Sequence, residues 1–245
     1  MRLTKIIIPI LIANMYLCGC NNINKTNVMI MSGHVQNPFG HNSQGILSST
    51  NIPENKYNDD ISNLFELQKN NSINYIVHQS SENIGLKQKV EVANFNNLDL
   101  YIEIHHDSAQ EKDILEAKKK GSDSLEWEKI EGFSIHLNSK HPEFSKSLEF
   151  AEYLSNNLLK AGFKPNLYHT DVEGMICIDR NRGLYDRQSP HSLYVLKNIK
   201  SPAILYEVGS IVSPNENSFL SKTETKKIIK KSIEKAIKKY AKNHK

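Results

Sequence analysis

Short apolar runs alternate along this chain with longer stretches in which apolar residues recur every three or four positions, so strands and helices are predicted in turn. The clearest run is Asp99 to Ser108, DLYIEIHHDS, where Leu100, Ile102 and Ile104 occupy every second position. In a strand these share one face, Glu103 and His105 share the other, and His106 points away from His105. Asn27 to Met31 (NVMIM) and Ala203 to Glu207 (AILYE) have the same form. Further strands are expected near Asn74 and Phe133. Helical spacing marks Tyr57 to Lys69, Leu86 to Phe95, Phe144 to Ala161 with Gly162 as its stop, and Asn215 onwards. Alternation of this kind predicts an α/β fold: a single domain with a mostly parallel twisted sheet and helices on both faces. No internal repeat or second linker marks a separate module.

The strand ends carry the candidate chemistry. His105 lies at the carboxyl end of its strand, where open α/β sheets gather ligands. His34 follows the NVMIM run through Ser32-Gly33, and the glycine permits a tight turn. Glu207 closes another apolar strand, and a carboxylate buried there needs a cation, a metal-bound water or a shifted pKa. Glu54, in Pro53-Glu54-Asn55, precedes the first predicted helix, with Glu66 and His41 as alternatives within reach. Two histidines and two carboxylates suit catalytic zinc, which keeps three protein ligands and one open position while a further carboxylate moves the proton. Taken singly, each residue has an ordinary structural reading, and spacing alone does not assign the roles.

Order and context add a resemblance. The succession Ser32-Gly33-His34, Glu54-Asn55, Ile104-His105-His106-Asp107-Ser108 and Pro202-Ala203-Ile204-Leu205-Tyr206-Glu207-Val208-Gly209 resembles the zinc-dependent N-acetylmuramoyl-L-alanine amidases of bacterial cell walls. Ala93-Asn94 and Gly132-Phe133-Ser134-Ile135 are similar to the helix before, and the strand after, that family's second histidine; the likeness spans residues 27 to 220. It implies zinc held by His34, Glu54 and His105, with Glu207 as catalytic acid and base. The implied reaction is hydrolysis of the amide between N-acetylmuramic acid and L-alanine in peptidoglycan. Two departures stand out: Val35 and Gln36 follow His34 where the family has glycines, and Glu103 replaces a usual serine. Glu103 has three readings: a carboxylate that orients His105, one that repels Glu207, or half of an ordinary ion pair.

The first residues bear on location. Arg2 and Lys5 precede an apolar run from Ile6 to Leu17, a secretory signal in shape and too short for an ordinary membrane span. It ends in Leu17-Cys18-Gly19-Cys20, which looks like a bacterial lipobox with Cys20 as the lipidated residue. The expected organisation is a lipoprotein signal over residues 1–20, a tether over 21–26 and a catalytic domain over 27–245. Cleavage leaves Cys177 as the only free thiol, so no internal disulfide is expected. The chain is expected to be exported and membrane-anchored through Cys20. With Asn21 next, that means the outer membrane facing the periplasm in an organism with two membranes, and otherwise the cell surface.

The formal charge of the 245 residues is +4, yet residues 222–245 alone hold ten lysines against two glutamates, so the rest is slightly acidic. Ile229, Ile233, Ile237 and Tyr240 form an apolar stripe on this C-terminal helix, and Ser221 with Glu224 has capping-box spacing. Its lysine face reads as a solvated surface, with wall polymer or lipid headgroups as the functional alternative; the secretory leader argues against nucleic acid. Residues 110–131 form a charged insertion around Trp127, read as a solvated helix, with an inhibitory lid as the rival reading and sugar stacking by Trp127 as another. His169 is expected in a loop lining the substrate groove, and Arg187, with Arg180 and Arg182, is a candidate clamp for a stem-peptide carboxylate. No residue identifies a protein activator. Two rival functions remain at this level: another zinc peptidoglycan hydrolase (a peptidase or deacetylase), or a wall-binding lipoprotein without turnover.

Overall fold

The computed structural model describes residues 25–37, 44–68, 70–187 and 192–244. They form one seven-stranded sheet in the order β2-β1-β3-β7-β4-β6-β5. The strands are β1 (Thr26–Ser32), β2 (Ile73–His78), β3 (Leu100–Asp107), β4 (Ser134–Leu137), β5 (Met175–Asp179), β6 (Leu184–Arg187) and β7 (Ala203–Ser210). Pairing is parallel from β2 through β1 and β3 to β7, reverses between β7 and β4, is parallel again between β4 and β6, and reverses between β6 and β5. The mostly parallel α/β sheet is therefore as the alternating pattern predicts.

Central parallel strands are buried on both faces, which is why they read as nearly continuous apolar runs. Val28, Ile30, Leu100, Ile102, Ile104, Ile204 and Tyr206 face one layer of helices. That layer contains α1 (Glu54–Ser62), α5 (Phe144–Lys160) and α8 (Thr223–Asn243). The stripe Ile229, Ile233, Ile237 and Tyr240 is fully buried in this layer, where Tyr240 meets Phe150 of α5 edge-on. Met29, Met31, Tyr101 and Leu205 face the opposite way, under the smaller cover of α2 (Leu86–Phe95) and α6 (Tyr194–Asn198). The sheet and both cores lie within residues 26–241, so this part of the chain has its own core and folds as a unit.

Several elements differ from the sequence expectation. The first helix begins at Glu54 and ends at Ser62, continuing as a 3-10 turn to Phe65. Ser62 donates its hydroxyl to the Asn58 carbonyl there, competing with the backbone ladder. The helix expected from Asn215 onwards is two helices, α7 (Pro214–Leu220) and α8. Ser221 stays in the right-handed region as the residue that caps the end of α7, and the extended residue before α8 is Lys222, so the expected capping box does not form. Strands β5 and β6 are additional: β5 is an edge strand whose Ile176 and Ile178 face solvent, and β6 has only four residues.

The charged stretch over residues 110–131 folds as α3 (Glu111–Lys120) and α4 (Leu125–Glu128). Their lysines and glutamates pair with one another at the surface, as Lys120 does with Glu116 and Glu126. Trp127, however, is only 2% exposed and packs with Ala117, Ile130 and Val212, which removes it as a sugar-stacking surface.

Candidate metal centre

Parallel strands deliver their carboxyl ends to one edge of the sheet, and three of the four candidate groups arrive there by that route. β1 ends at Ser32, and His34 follows with φ 63°, a left-handed conformation that a residue with a side chain rarely adopts. β3 carries His105, whose backbone partner across the β3–β7 pair is Glu207. The fourth group comes from above: Glu54 sits in the first turn of α1, where the helix dipole favours a carboxylate.

The structure brings His34, Glu54 and His105 together. Their ligand atoms lie within 4.8 Å of one another, the one such group of three metal-competent side chains found among the described residues. Glu54 Oε1 is 3.0 Å from His105 Nδ1, and its Oε2 is 3.0 Å from His34 Nε2. Tetrahedral zinc with bonds near 2.0–2.1 Å separates its ligand atoms by about 3.3 Å, so two imidazoles and one carboxylate already lie near the required spacing. Two nitrogens and one oxygen suit zinc better than calcium or magnesium, which prefer all-oxygen sets. Of the alternative ligands, Glu66 is exposed beyond the far end of α1, and His41 lies outside the described residues.

Two glycines make the approach possible. A Cβ on Gly33 would sit 2.5 Å from the His105 ring, and one on Gly45 would sit 2.4 Å from Glu54 Oε2 and 2.8 Å from the His34 ring. Gly45 also has φ +79°, a conformation open to glycine, so the loop over residues 44–46 passes close to both ligands. Asn58, one turn along α1, donates to Glu54 Oε1 and to the Gly33 carbonyl, both at 3.3 Å, while its Oδ1 lies 2.8 Å from His106 Nδ1. His106 thus serves the α1 face and leaves the metal group to His105.

Burial works against the ionised form of Glu54, yet the two histidines outweigh it and hold the carboxyl well below its ordinary range. Burial also disfavours a charged His105, but Glu103 and Glu54 raise its pKa to about 10. Glu103 is half of a buried ion pair: its Oε1 lies 2.7 Å from Lys89 Nζ and 3.6 Å from His105 Nε2. Burial pushes Glu103 up, and Lys89 and His105 together bring it down to about 2. Lys89 also donates to the Ser32 carbonyl at 2.9 Å, tying α2 to the end of β1. Beside these residues a cavity of about 360 Å³ opens over Leu86, Leu193 and Leu205.

Glu207 is not in the group of three. Burial raises its carboxyl well above the ordinary range, Asp107 and Glu54 add to this, and His105 and Arg187 oppose it. Its Oε2 is buried with no hydrogen-bond partner among the described residues. Arg187 lies on β6, where burial lowers its pKa against the pull of Glu207 and Asp107. His169 is buried rather than lining a groove: its Nε2 bonds the Asp107 carboxylate, and its ring lies against those of His136 and Tyr185. It is therefore a packing partner of Asp107, because this side of the sheet closes over it. No side chain of α3 or α4 belongs to the metal group.

Sequence reasoning passed over Lys89, Asn58 and Gly45. Lys89 falls beside Val90 on the apolar face of α2, and a cation in that position signals a buried partner. Six of the nine residues of α1 are buried although most are polar, and this marks a helix that faces a site.

Residues 28–239 match the Amidase_3 family model, described as N-acetylmuramoyl-L-alanine amidase. No curated protein matches the chain in sequence. Among solved structures, an N-acetylmuramoyl-L-alanine amidase from Clostridium difficile 630 is similar at 21% identity and TM-score 0.62, over 89% of this chain and 98% of that one. The N-acetylmuramyl-L-alanine amidase Ami1 from Mycobacterium smegmatis is similar at 16% identity and TM-score 0.66, over 91% and 99%. The catalytic domain of CwlV from Bacillus (Paenibacillus) polymyxa var. colistinus is similar at 17% identity and TM-score 0.60, over 89% and 98%. At these identities the likeness is one of fold.

Two outcomes are expected. Gly45→Ala should weaken zinc binding about 10- to 100-fold in a chelator-competition titration while leaving the far-ultraviolet spectrum native, since the added methyl displaces Glu54. Lys89→Met should cost about 3–5 kcal/mol in denaturant unfolding by stranding the Glu103 charge, whereas Lys89→Met with Glu103→Leu should recover most of that loss.

Proposed function

This chain belongs to the N-acetylmuramoyl-L-alanine amidase family, and we propose that it performs that reaction with zinc held by His34, Glu54 and His105 and with Glu207 as the proton carrier. The family's activity is hydrolysis of the amide joining N-acetylmuramic acid to L-alanine in peptidoglycan, so the chain is a cell-wall hydrolase with an extracytoplasmic substrate. The observation that carries the residue roles is the juxtaposition on β3 and β7: a three-ligand group closed by His105, with an unpartnered buried carboxylate oxygen on the residue paired to it.

Zinc bound by such a set supplies a Lewis acid for the carbonyl oxygen and lowers the pKa of water to about 7. Glu54 fixes both imidazoles by reaching one with each oxygen. Glu103, anchored by Lys89, stands at the remaining nitrogen of His105 and favours the tautomer with its proton there, leaving Nδ1 as the ligand atom. Water adds to the lactyl carbonyl carbon as Glu207 takes its proton. The carbon–nitrogen bond then breaks, and the same carboxyl returns the proton to the nitrogen of L-alanine, releasing a carboxylic acid and a free amine.

The lipobox-like Leu17-Cys18-Gly19-Cys20 lies outside the described residues and supports a second element of the proposal, export and acylation at Cys20. Such an anchor would hold the enzyme beside its polymer substrate, since several acyl chains on one residue bind a bilayer stably.

Mass spectrometry of peptidoglycan treated with the zinc-loaded enzyme should show stem peptides with a free L-alanine amino terminus. Glu207→Ala should keep zinc and lose turnover by at least about a hundredfold, whereas His105→Ala should lose the metal; a fully active Glu207→Ala enzyme would remove Glu207 from the reaction. Labelled palmitate should enter the wild-type chain in cells and be absent from Cys20→Ala, and an unlabelled wild-type chain would refute the anchor.

A further inference from the structure

We infer that the edge of the sheet opposite the metal centre is a membrane-contacting surface, seated on anionic lipid headgroups. The inference builds on the exported, Cys20-anchored reading above. Its first support is apolar. Leu67 and Phe95 are 92% and 85% exposed, more than any other large apolar side chain among the described residues. Leu67 lies in a turn and Phe95 at the end of a helix, and both segments feed the amino ends of parallel strands. Leu67 precedes β2, whose first residue, Ile73, pairs with Thr26 at the start of β1. Phe95 ends α2, and two residues later the Asn97 carbonyl accepts from the Asn27 side chain.

The second support is charge. On the same edge Lys25, Lys146 and Lys200 line one open cavity of about 670 Å³, with Pro202 and Tyr240. Two carboxylates share that cavity: Asp99 accepts from the Asn27 backbone N–H at 2.7 Å, and Glu143 pairs with Lys146 at 2.7 Å. Three lysines against two carboxylates leave this cavity a net positive charge, with Lys25 and Lys200 set against Asp99 alone. The lysine-rich α8 ends here too, because Tyr240 in its last turns donates its hydroxyl to the Asp99 carbonyl. Apolar side chains flanked by lysines suit the boundary of an anionic bilayer, where the first enter the acyl region and the second meet the headgroups.

The third support is where the chain arrives. Lys25 leads directly into β1 on this edge, and four residues separate it from Cys20, so the five steps between them span at most about 18 Å when extended. An acylated Cys20 therefore holds this edge, and not the other, close to the headgroups. His105, five residues along β3 from Leu100, sets the metal centre roughly 17 Å farther out, facing away from the bilayer. No helix among the described residues is long and apolar enough to cross a membrane, so the contact is interfacial.

The test uses the chain starting at Asn21, which carries the whole folded unit and no anchor, in co-sedimentation with vesicles. Binding is expected to equimolar phosphatidylglycerol and phosphatidylcholine and to be about tenfold weaker or worse with phosphatidylcholine alone. Leu67→Asp with Phe95→Asp, and separately Lys25→Glu with Lys200→Glu, should each weaken binding to the mixed vesicles about tenfold or more, with muropeptide turnover unchanged. No binding to the mixed vesicles, or equal binding by the variants, would overturn the inference. So would a dimer in sedimentation velocity that the Leu67 and Phe95 substitutions abolish, since a second copy would then cover the face. Vesicle binding by a preparation without amidase turnover would support this surface and count against the activity alone.

Discussion

The carboxylate of Glu54 is the contact on which the arrangement of this protein's working edge depends. One oxygen reaches His105 and the other His34, while the backbone N–H groups of His106 and Ile46 donate to the same pair of oxygens. Four separate stretches of chain converge on one buried anion: the turn after β1, the loop at residues 44–46, the first turn of α1 and the end of β3. A carboxylate removed from water costs several kcal/mol unless such partners surround it, so none of the four segments is free to drift without exposing that cost. The surrounding features follow from this demand. Gly33 and Gly45 lack side chains because the approach leaves no room for them, and His34 accepts an uncommon backbone conformation to face the anion.

A second buried charge pair operates one layer away, with a different purpose. Lys89 and Glu103 lie under α2 on the thinly covered face of the sheet, and both are nearly inaccessible. A serine in place of Glu103 would need no cation, so the two departures from an ordinary apolar face occur together and neutralise each other. The pair links α2, the end of β1 and the imidazole of His105. Rigidity at His105 thus comes from both sides, from Glu54 at one ring nitrogen and from Glu103 at the other.

The parallel heart of the sheet was legible in the sequence because strands covered on both faces must be apolar along their length, and β1, β3 and β7 are. Their ends were legible for the complementary reason: Glu207 is a costly residue in such a run and calls for an explanation. Glu54 could be selected over Glu66 only through family resemblance, since both stand near helical segments and nothing local separates them. β5 and β6 escaped notice because a four-residue strand and an exposed edge strand leave too little pattern. The break between α7 and α8 depends on a single backbone turn at Lys222, inside one continuous helical spacing. Lys89 and Asn58 were hidden for another reason, in that their partners are distant in sequence and pairing is a property of the folded chain.

The reversal of direction between β7 and β4 also sets how the family fold can change. On the β1 and β3 side, strands finish at the metal edge and their terminal residues are committed to it. On the other side β4 and β6 begin there, with Ser134 opposite Glu207, and the adjoining surface is made by the connections that enter them. Lengthening such a connection adds only slowly to the entropic cost of closing it. The connection from β3 to β4 contains α3 and α4, which hold their own small core around Trp127. A change in such a connection thereby falls on the β4 and β6 side of this edge, while the β1 and β3 side stays bound to the metal-binding geometry.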